Sequence, residues 1–302
     1  MIRLAVLLAA VIAASPLPSA FAQDAPAEPG PAQAAPAAAQ AGSVHDQWLT
    51  VTLDGRRMNL AARVFQPSGS GPFPLVVIHH GTPVSMDDAR STKLGFSRGA
   101  RWFMSQGYEV VVALRPGFGA SDGPYMEPSG SCRDRDYVRD GRETAAVEAA
   151  IVESAAALPG VDPHRIVVVG QSAGGFGAIA LADTPPPGVV GVISFAGGRG
   201  GDAHEHICSG EARLVEATAT FGRANRVPQL WLFAANDHFF APPVAHAMAQ
   251  AYQAGSTPPV RFVDLPPFGE DGHKTFAQAD PSVWASAVAS FLADMVKPAP
   301  AP

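Results

Sequence analysis

Short apolar runs, each closed by a glycine- or polar-rich loop, recur along this chain. Residues 48–53 and 58–65 alternate apolar and polar positions on either side of Asp54-Gly55. Alternation around Asp-Gly predicts two antiparallel strands joined by a tight turn. Residues 74–78 form a continuous apolar run and 109–114 a second. Strands without a polar face belong in a sheet covered on both sides. Further strands are expected at 166–169, 189–195, 229–234 and 260–265. Helical patterns occupy 94–106, 141–157, the stretch after Ser172, 242–254 and 281–295. Strands alternating with helices imply an α/β fold, with a mostly parallel eight-stranded sheet and right-handed crossovers placing helices on both faces. The opening hairpin makes the sheet mixed. Active sites in such sheets lie at the carboxyl ends of the strands.

The two ends read differently. Residues 1–22 have a short basic start, an apolar stretch over 4–14 and a small-x-small sequence at Ala20-Phe21-Ala22. That is the pattern of a signal peptide for export to the periplasm or medium. The apolar stretch falls short of the roughly 20 residues a membrane span needs, so no span is expected in the mature chain; a retained N-terminal anchor is the alternative. Residues 23–44 are almost all Ala, Pro, Gln and Gly at their start and lack the large apolar groups that offset ordering entropy, so they are expected to be a disordered tether. A similar tail is expected at 298–302, leaving a single domain at 45–297. The formal net charge of −6 gives no support for a nucleic-acid partner.

The chemistry centres on Gly170-Gln171-Ser172-Ala173-Gly174, directly after the 165–169 run. Strand, Gly-x-Ser-x-Gly, then helix describes a tight turn that lifts a nucleophilic serine clear of the sheet; a glycine-rich turn with a solvated serine is the bland alternative. A serine needs a base within hydrogen-bond reach, and that base needs an orienting carboxylate. Asp237, after the 229–234 strand, is the candidate acid, and His273, on the loop after the last strand, the candidate base. The order Ser, Asp, His suits this type of sheet. His238 is a rival base, but it adjoins Asp237 and its side chain should diverge; His45 lies near the tether. The Ala173 and Thr82 amides are the expected oxyanion donors, because Pro83 has no N–H to give. His80, Ser121 and Asp122 are expected to brace loops.

Only two cysteines occur, Cys132 and Cys208. Even parity in an exported chain suggests a disulfide, the alternative being two unpaired thiols. Both follow strands and should sit above the same sheet edge, where a bridge would pin a small lid made from residues 197–225. His204, His206 and Cys208 alternate, and on a strand they could share one face as a zinc or copper site; the simpler partner for Cys208 is Cys132, and no metal or other cofactor is expected. Pocket residues are expected from 197–221, 124–137 and Phe239-Phe240.

These features together resemble the α/β-hydrolases, in particular the dienelactone hydrolase and prolyl-oligopeptidase-like branches. The matching stretches are 72–81, ending in His79-His80-Gly81, the 115–123 loop, 170–175, Asn236-Asp237 and Gly272-His273. The resemblance implies Ser172 as nucleophile, Asp237 as acid, His273 as base, and Thr82 and Ala173 as oxyanion donors. Dienelactone hydrolases proper use cysteine where this chain has Ser172, which favours a general ester or amide over the specific lactone. The propeller of prolyl oligopeptidases is missing. The expected function is an exported serine hydrolase, foremost a carboxylic-ester hydrolase acting on a small-molecule ester. A peptidase on short peptides or an acyltransferase could use the same triad; a non-catalytic binding module and a metal-dependent hydrolase centred on His204 and His206 are the readings of other classes.

Overall fold

A computed structural model describes residues 42–83, 85–127 and 130–296. The expected signal peptide, nearly all of the tether and the 298–302 tail lie outside the described residues. The hairpin β1 (Ser43–Leu53) and β2 (Arg56–Gln66) comes first, then β3 (Phe73–His79), α1 (Ser97–Ser105) and β4 (Glu109–Ala113). A two-rung hairpin, β5 (Gly130–Ser131) and β6 (Asp134–Arg135), leads into α2 (Tyr137–Ala156). Next are β7 (Val161–Gln171), α3 (Ala173–Leu181), β8 (Val189–Phe195) and α4 (Glu211–Gly222). The chain continues through β9 (Gln229–Ala234), α5 (Pro242–Gly255), β10 (Val260–Leu265), α6 (Thr275–Gln278) and α7 (Ala285–Val296).

Eight strands form one sheet in the order β1-β2-β4-β3-β7-β8-β9-β10. β2 pairs antiparallel with both β1 and β4, and every other pairing is parallel. Asp54 and Gly55 both have positive φ, 50° and 73°, as the hairpin turn that matches strand twist requires. The apolar runs divide by period two, because successive side chains leave a strand on opposite faces. Leu75, Val77, Val111 and Val168 pack with Val147 and Ile151 of α2 on one face. Val76, Ile78, Val112 and Val169 pack with Phe103 of α1 and Phe291 of α7 on the other.

Two expectations change. Strand β1 begins at Ser43, inside the stretch assigned to the tether, because Ser43 and Val44 pair with Gln66 and Phe65. Residues 211–222, assigned to a lid, instead form α4, whose Leu214, Ala217, Thr218 and Phe221 are buried. Their spacing puts them on one helical face, and that face joins the core containing Met248 and Tyr252 of α5.

Glu148 is completely buried on α2, and among the described residues neither of its carboxylate oxygens has a hydrogen-bond partner. Burial pushes its carboxyl well above the ordinary value, against the pull of Arg115. A group that holds its proton more tightly folded than unfolded costs stability as pH rises above its unfolded pKa, about 4.3, and the cost is complete above the folded pKa. Glu148→Gln is therefore expected to reduce the loss of melting temperature between pH 5 and pH 8. An unchanged pH slope in differential scanning fluorimetry would contradict this.

Candidate active site

β7 ends at Gln171 and α3 starts at Ala173, so Ser172 alone makes the turn, with φ 55° and ψ −123°. Such angles are strained for a residue with a Cβ and persist only where the surroundings enforce them. Here the Ser172 N–H donates to Phe195 O at 3.0 Å, and its carbonyl accepts from Phe176 N at 2.9 Å and Gly198 N at 3.1 Å. The flanking glycines are needed for close approach: a Cβ on Gly170 would strike the Gly174 carbonyl, and one on Gly174 would lie 2.5 Å from His80 O. The Ser172 hydroxyl makes no helix-capping hydrogen bond, and the Ala173 N–H, in the first turn of α3, has no intrahelical acceptor.

His273 lies on a short 3-10 turn, Gly272–Lys274, after β10. Its Nδ1 is 3.2 Å from each carboxylate oxygen of Asp237. Asp237 Oδ1 also accepts from the backbone N–H of Phe239 at 2.9 Å and Phe240 at 3.0 Å. The carboxylate is thus held by donors on its own loop while it faces the imidazole. The ring of His273 stacks on Phe239 with centroids 4.2 Å apart, and its carbonyl accepts from Gln171 Nε2 at 2.6 Å. That last bond ties the histidine loop to the residue before Ser172. No hydrogen bond joins Ser172 Oγ and His273 among the described residues; such contacts are often long without substrate and tighten on binding. His238 points elsewhere, its Nδ1 3.2 Å from Glu205 Oε1 at the surface.

The loop after β3 packs on the serine: a Cβ on Gly81 would lie 3.0 Å from Ser172 Cβ. His80 accepts from the Arg115 N–H through Nε2 at 3.0 Å, which leaves Nδ1 to donate to Gly81 O at 2.6 Å. Burial, reinforced by the Arg115 charge, holds its pKa well below the usual value, so it braces the loop as a neutral ring. Ser121 Oγ donates to Leu114 O and accepts from Ala61 N, and Asp122 accepts from Asn59 N. Both hold the 115–123 loop to β2.

Sequence reading missed a buried ionic cluster beside these loops. Arg115 Nε donates to Glu127 Oε1 at 2.5 Å, Arg199 Nη1 to Glu127 Oε2 at 3.2 Å, and Arg199 Nε lies 3.1 Å from Asp140 Oδ1. Burial alone would raise the Glu127 pKa, but Arg115 and Arg199 outweigh it and hold the carboxyl below its ordinary value. Burial dominates at Asp140 and pushes it up to about 6.

A cavity of about 730 Å³ opens over Ser172, lined by Thr82, Ala173, Arg199, Phe239 and Phe240 among others. Besides Thr82, Pro83, Ser172 and Ala173, the lining comes from the three stretches expected to form the pocket. Cys132 and Cys208 are bonded to each other across one wall. They join segments 76 residues apart. In the loop-entropy account, replacing both by serine is expected to cost about 4 kcal/mol, or a fall in melting temperature of roughly 10 °C; a fall under 2 °C would contradict it. His206 lies near the bonded sulfurs, but both sulfurs are spent in the bridge, and His204 to Cys208 do not form the strand that a shared ligand face required.

Comparison with known proteins agrees with this architecture. The family model for X-Pro dipeptidyl-peptidases (S15 family) matches residues 54–259. No curated protein matches the chain. An esterase from Pyrococcus furiosus superposes with a TM-score of 0.58 at 14% identity, over 84% of this chain and 92% of that one. A Klebsiella pneumoniae protein assigned as a dienelactone hydrolase gives 0.54 at 16% identity, over 85% and 100%. Porphyromonas gingivalis dipeptidyl peptidase 4 gives 0.57 at 17% identity, over 82% of this chain but 35% of that one. At these identities the structural likeness concerns the fold, which is that of the α/β-hydrolases.

Proposed function

Because the chain belongs to the X-Pro dipeptidyl-peptidase (S15) family of hydrolases, we propose that it is an exported serine hydrolase whose triad is Ser172, His273 and Asp237 and whose preferred substrates are carboxylic esters. The observation that carries this reading is the Asp237 carboxylate, 3.2 Å from His273 Nδ1, in the same strand-end region as a strained Ser172 that opens on the cavity. Ser172 Oγ attacks the carbonyl carbon while His273 Nε2 takes its proton. Asp237 keeps Nδ1 protonated and stabilises the imidazolium. The carbonyl oxygen, now negative, accepts from the Thr82 and Ala173 amides. Collapse expels the alcohol with the proton from His273, and water releases the acid by the same steps in reverse. The residues need no cofactor for any of these steps.

The ester preference draws on the lining of the cavity over Ser172, where Pro83, Phe239 and Phe240 give it apolar wall. The family match favours a second reading, a peptidase that removes X-Pro dipeptides, and an acyltransferase would use the same acyl-enzyme. Export is supported by the signal-like residues 1–22 and by the Cys132–Cys208 bridge, since disulfides persist in oxidising compartments. No described helix is long and apolar enough to cross a membrane. Residues 23–42 would serve as the tether ahead of the domain.

Parallel assays of p-nitrophenyl acetate, butyrate and octanoate against an alanyl-prolyl p-nitroanilide separate the readings. The expected outcome is a larger kcat/KM on at least one ester than on the anilide. A larger kcat/KM on the anilide than on every ester would assign the protein to peptide cleavage.

A further inference from the structure

Thr82 is expected to present one of the two oxyanion donors, yet its loop lacks ordinary backbone support. Among the described residues, no backbone–backbone hydrogen bond involves Gly81, Thr82 or Pro83. Side chains hold the loop instead. The Thr82 hydroxyl accepts from Arg199 Nη1 at 2.9 Å and from Arg115 Nη2 at 3.4 Å. Arg115 also donates to His80 O.

Arg199 has the more demanding arrangement. It follows Gly198, whose N–H donates to the Ser172 carbonyl at 3.1 Å, so its own backbone is fixed to the nucleophile. Its side chain is buried and reaches three other segments. Besides Thr82 and the Glu127 carboxylate, Nη2 donates to Tyr125 OH at 2.5 Å and Glu127 O at 3.1 Å, and Nε lies against Asp140. Nη1 and Nη2 each donate to two acceptors while Nε pairs with the Asp140 carboxylate, a pattern that a lysine with a single ammonium head cannot reproduce. Burial opposes its charge, but Asp140 and Glu127 outweigh this and hold its pKa above the ordinary arginine value. The result is a rigid strut from the backbone at Ser172 to the hydroxyl of Thr82.

We infer that Arg199 is the positioning residue of the oxyanion hole: it fixes Thr82 through its hydroxyl so that the Thr82 N–H meets the oxygen of a carbonyl under attack by Ser172. The inference rests on the proposed roles of Ser172 and Thr82. An oxyanion donor acts on charge that develops only in the transition state, so its displacement lowers kcat and leaves KM largely unchanged. A guanidinium that served only as core glue would affect stability alone.

Thr82→Val is the informative variant, because it keeps the backbone amide and the side-chain shape and deletes the hydroxyl that Arg199 holds. We expect kcat on the best ester to fall on the order of 10- to 100-fold, the range for a displaced catalytic group or a weakened oxyanion donor, with KM within about twofold. Thr82→Ser restores the acceptor and is expected to recover most of that loss. Arg199→Lys should lower kcat similarly, and Thr82→Val combined with Arg199→Lys should be little worse than the more damaging single change, since both break one link. Arg199→Met leaves two buried carboxylates short of a partner and can unfold the protein; the Thr82 variants do not carry that risk.

The second readout is the rate at which a fluorophosphonate labels Ser172, which requires the same hole but no particular substrate. It is expected to fall in parallel with kcat. A Thr82→Val enzyme with wild-type kcat and labelling rate would overturn the inference and leave the triad reading intact. Failure of the wild-type protein to be labelled at Ser172 would overturn the triad reading, and this inference with it.

Discussion

Ser172→Ala is expected to reduce turnover of a good substrate on the order of 10⁶-fold while the fold is kept. The size follows from the proposed chemistry: without Oγ no acyl-enzyme forms, and the oxyanion donors can assist only a direct attack by water. The fold should survive because the hydroxyl contributes nothing to the helix cap, and alanine is no more strained than serine at φ 55°. The backbone bonds to Phe195, Phe176 and Gly198 are all retained. Turnover and circular dichroism of the wild-type and variant proteins, measured together, provide the check. An alanine variant with more than a tenth of wild-type activity would remove Ser172 from the mechanism.

Asp237→Asn is expected to lower kcat on the order of 10⁴-fold, by reversing the tautomer of the base rather than by removing it. Asp237 Oδ1 already accepts from two backbone amides, those of Phe239 and Phe240. An asparagine at this position keeps its oxygen on those donors and turns its NH₂ toward His273 Nδ1. That nitrogen must then accept, so the ring proton moves to Nε2, the atom that has to take the proton from serine. Stability should change little, since the amide preserves both loop bonds. A rise of activity with pH toward hydroxide-assisted chemistry would accompany the loss. Should Asp237→Asn remain within tenfold of wild type while His238→Ala is inactive, the base would be His238.

The buried cluster explains how such a site can be stiff although it is built from loops. Thr82, Tyr125, Glu127 and Arg199 all lie outside regular secondary structure, where flexibility is the default. Burying charges is costly unless each is paired and hydrogen-bonded. In this cluster the Glu127 carboxylate accepts from two guanidinium groups and its carbonyl from one. Removing one member would leave buried charge on the others less fully compensated, so the arrangement works as a unit. The Cys132–Cys208 bridge adds a covalent tie in the lining of the same cavity.

Much of this was legible because the signals are local. Continuous apolar runs of four to seven residues specify strands covered on both faces, and Asp54-Gly55 specifies the hairpin turn, without reference to the rest of the chain. Gly170 to Gly174 encode the turn at Ser172 for the same reason: the steric demand lies within five consecutive residues. The region of Asp237 and His273 followed from chain order after apolar strands, because strand ends converge at one edge of the sheet. What the tertiary structure alone decided depends on partners far apart in sequence. Thr82 and Arg199 are separated by 117 positions, and nothing near either residue distinguishes a buried arginine from the solvated one that arginine usually is. The stretch 197–225, expected as a lid, contains α4, and only the surface supplied by α5 decides that its apolar face joins the core. Parity allowed a disulfide, but only the closing of segments 76 residues apart brought the two sulfurs together. Backbone geometry and strand periodicity are properties of neighbouring residues, whereas compensation of buried charge is a property of the assembled site.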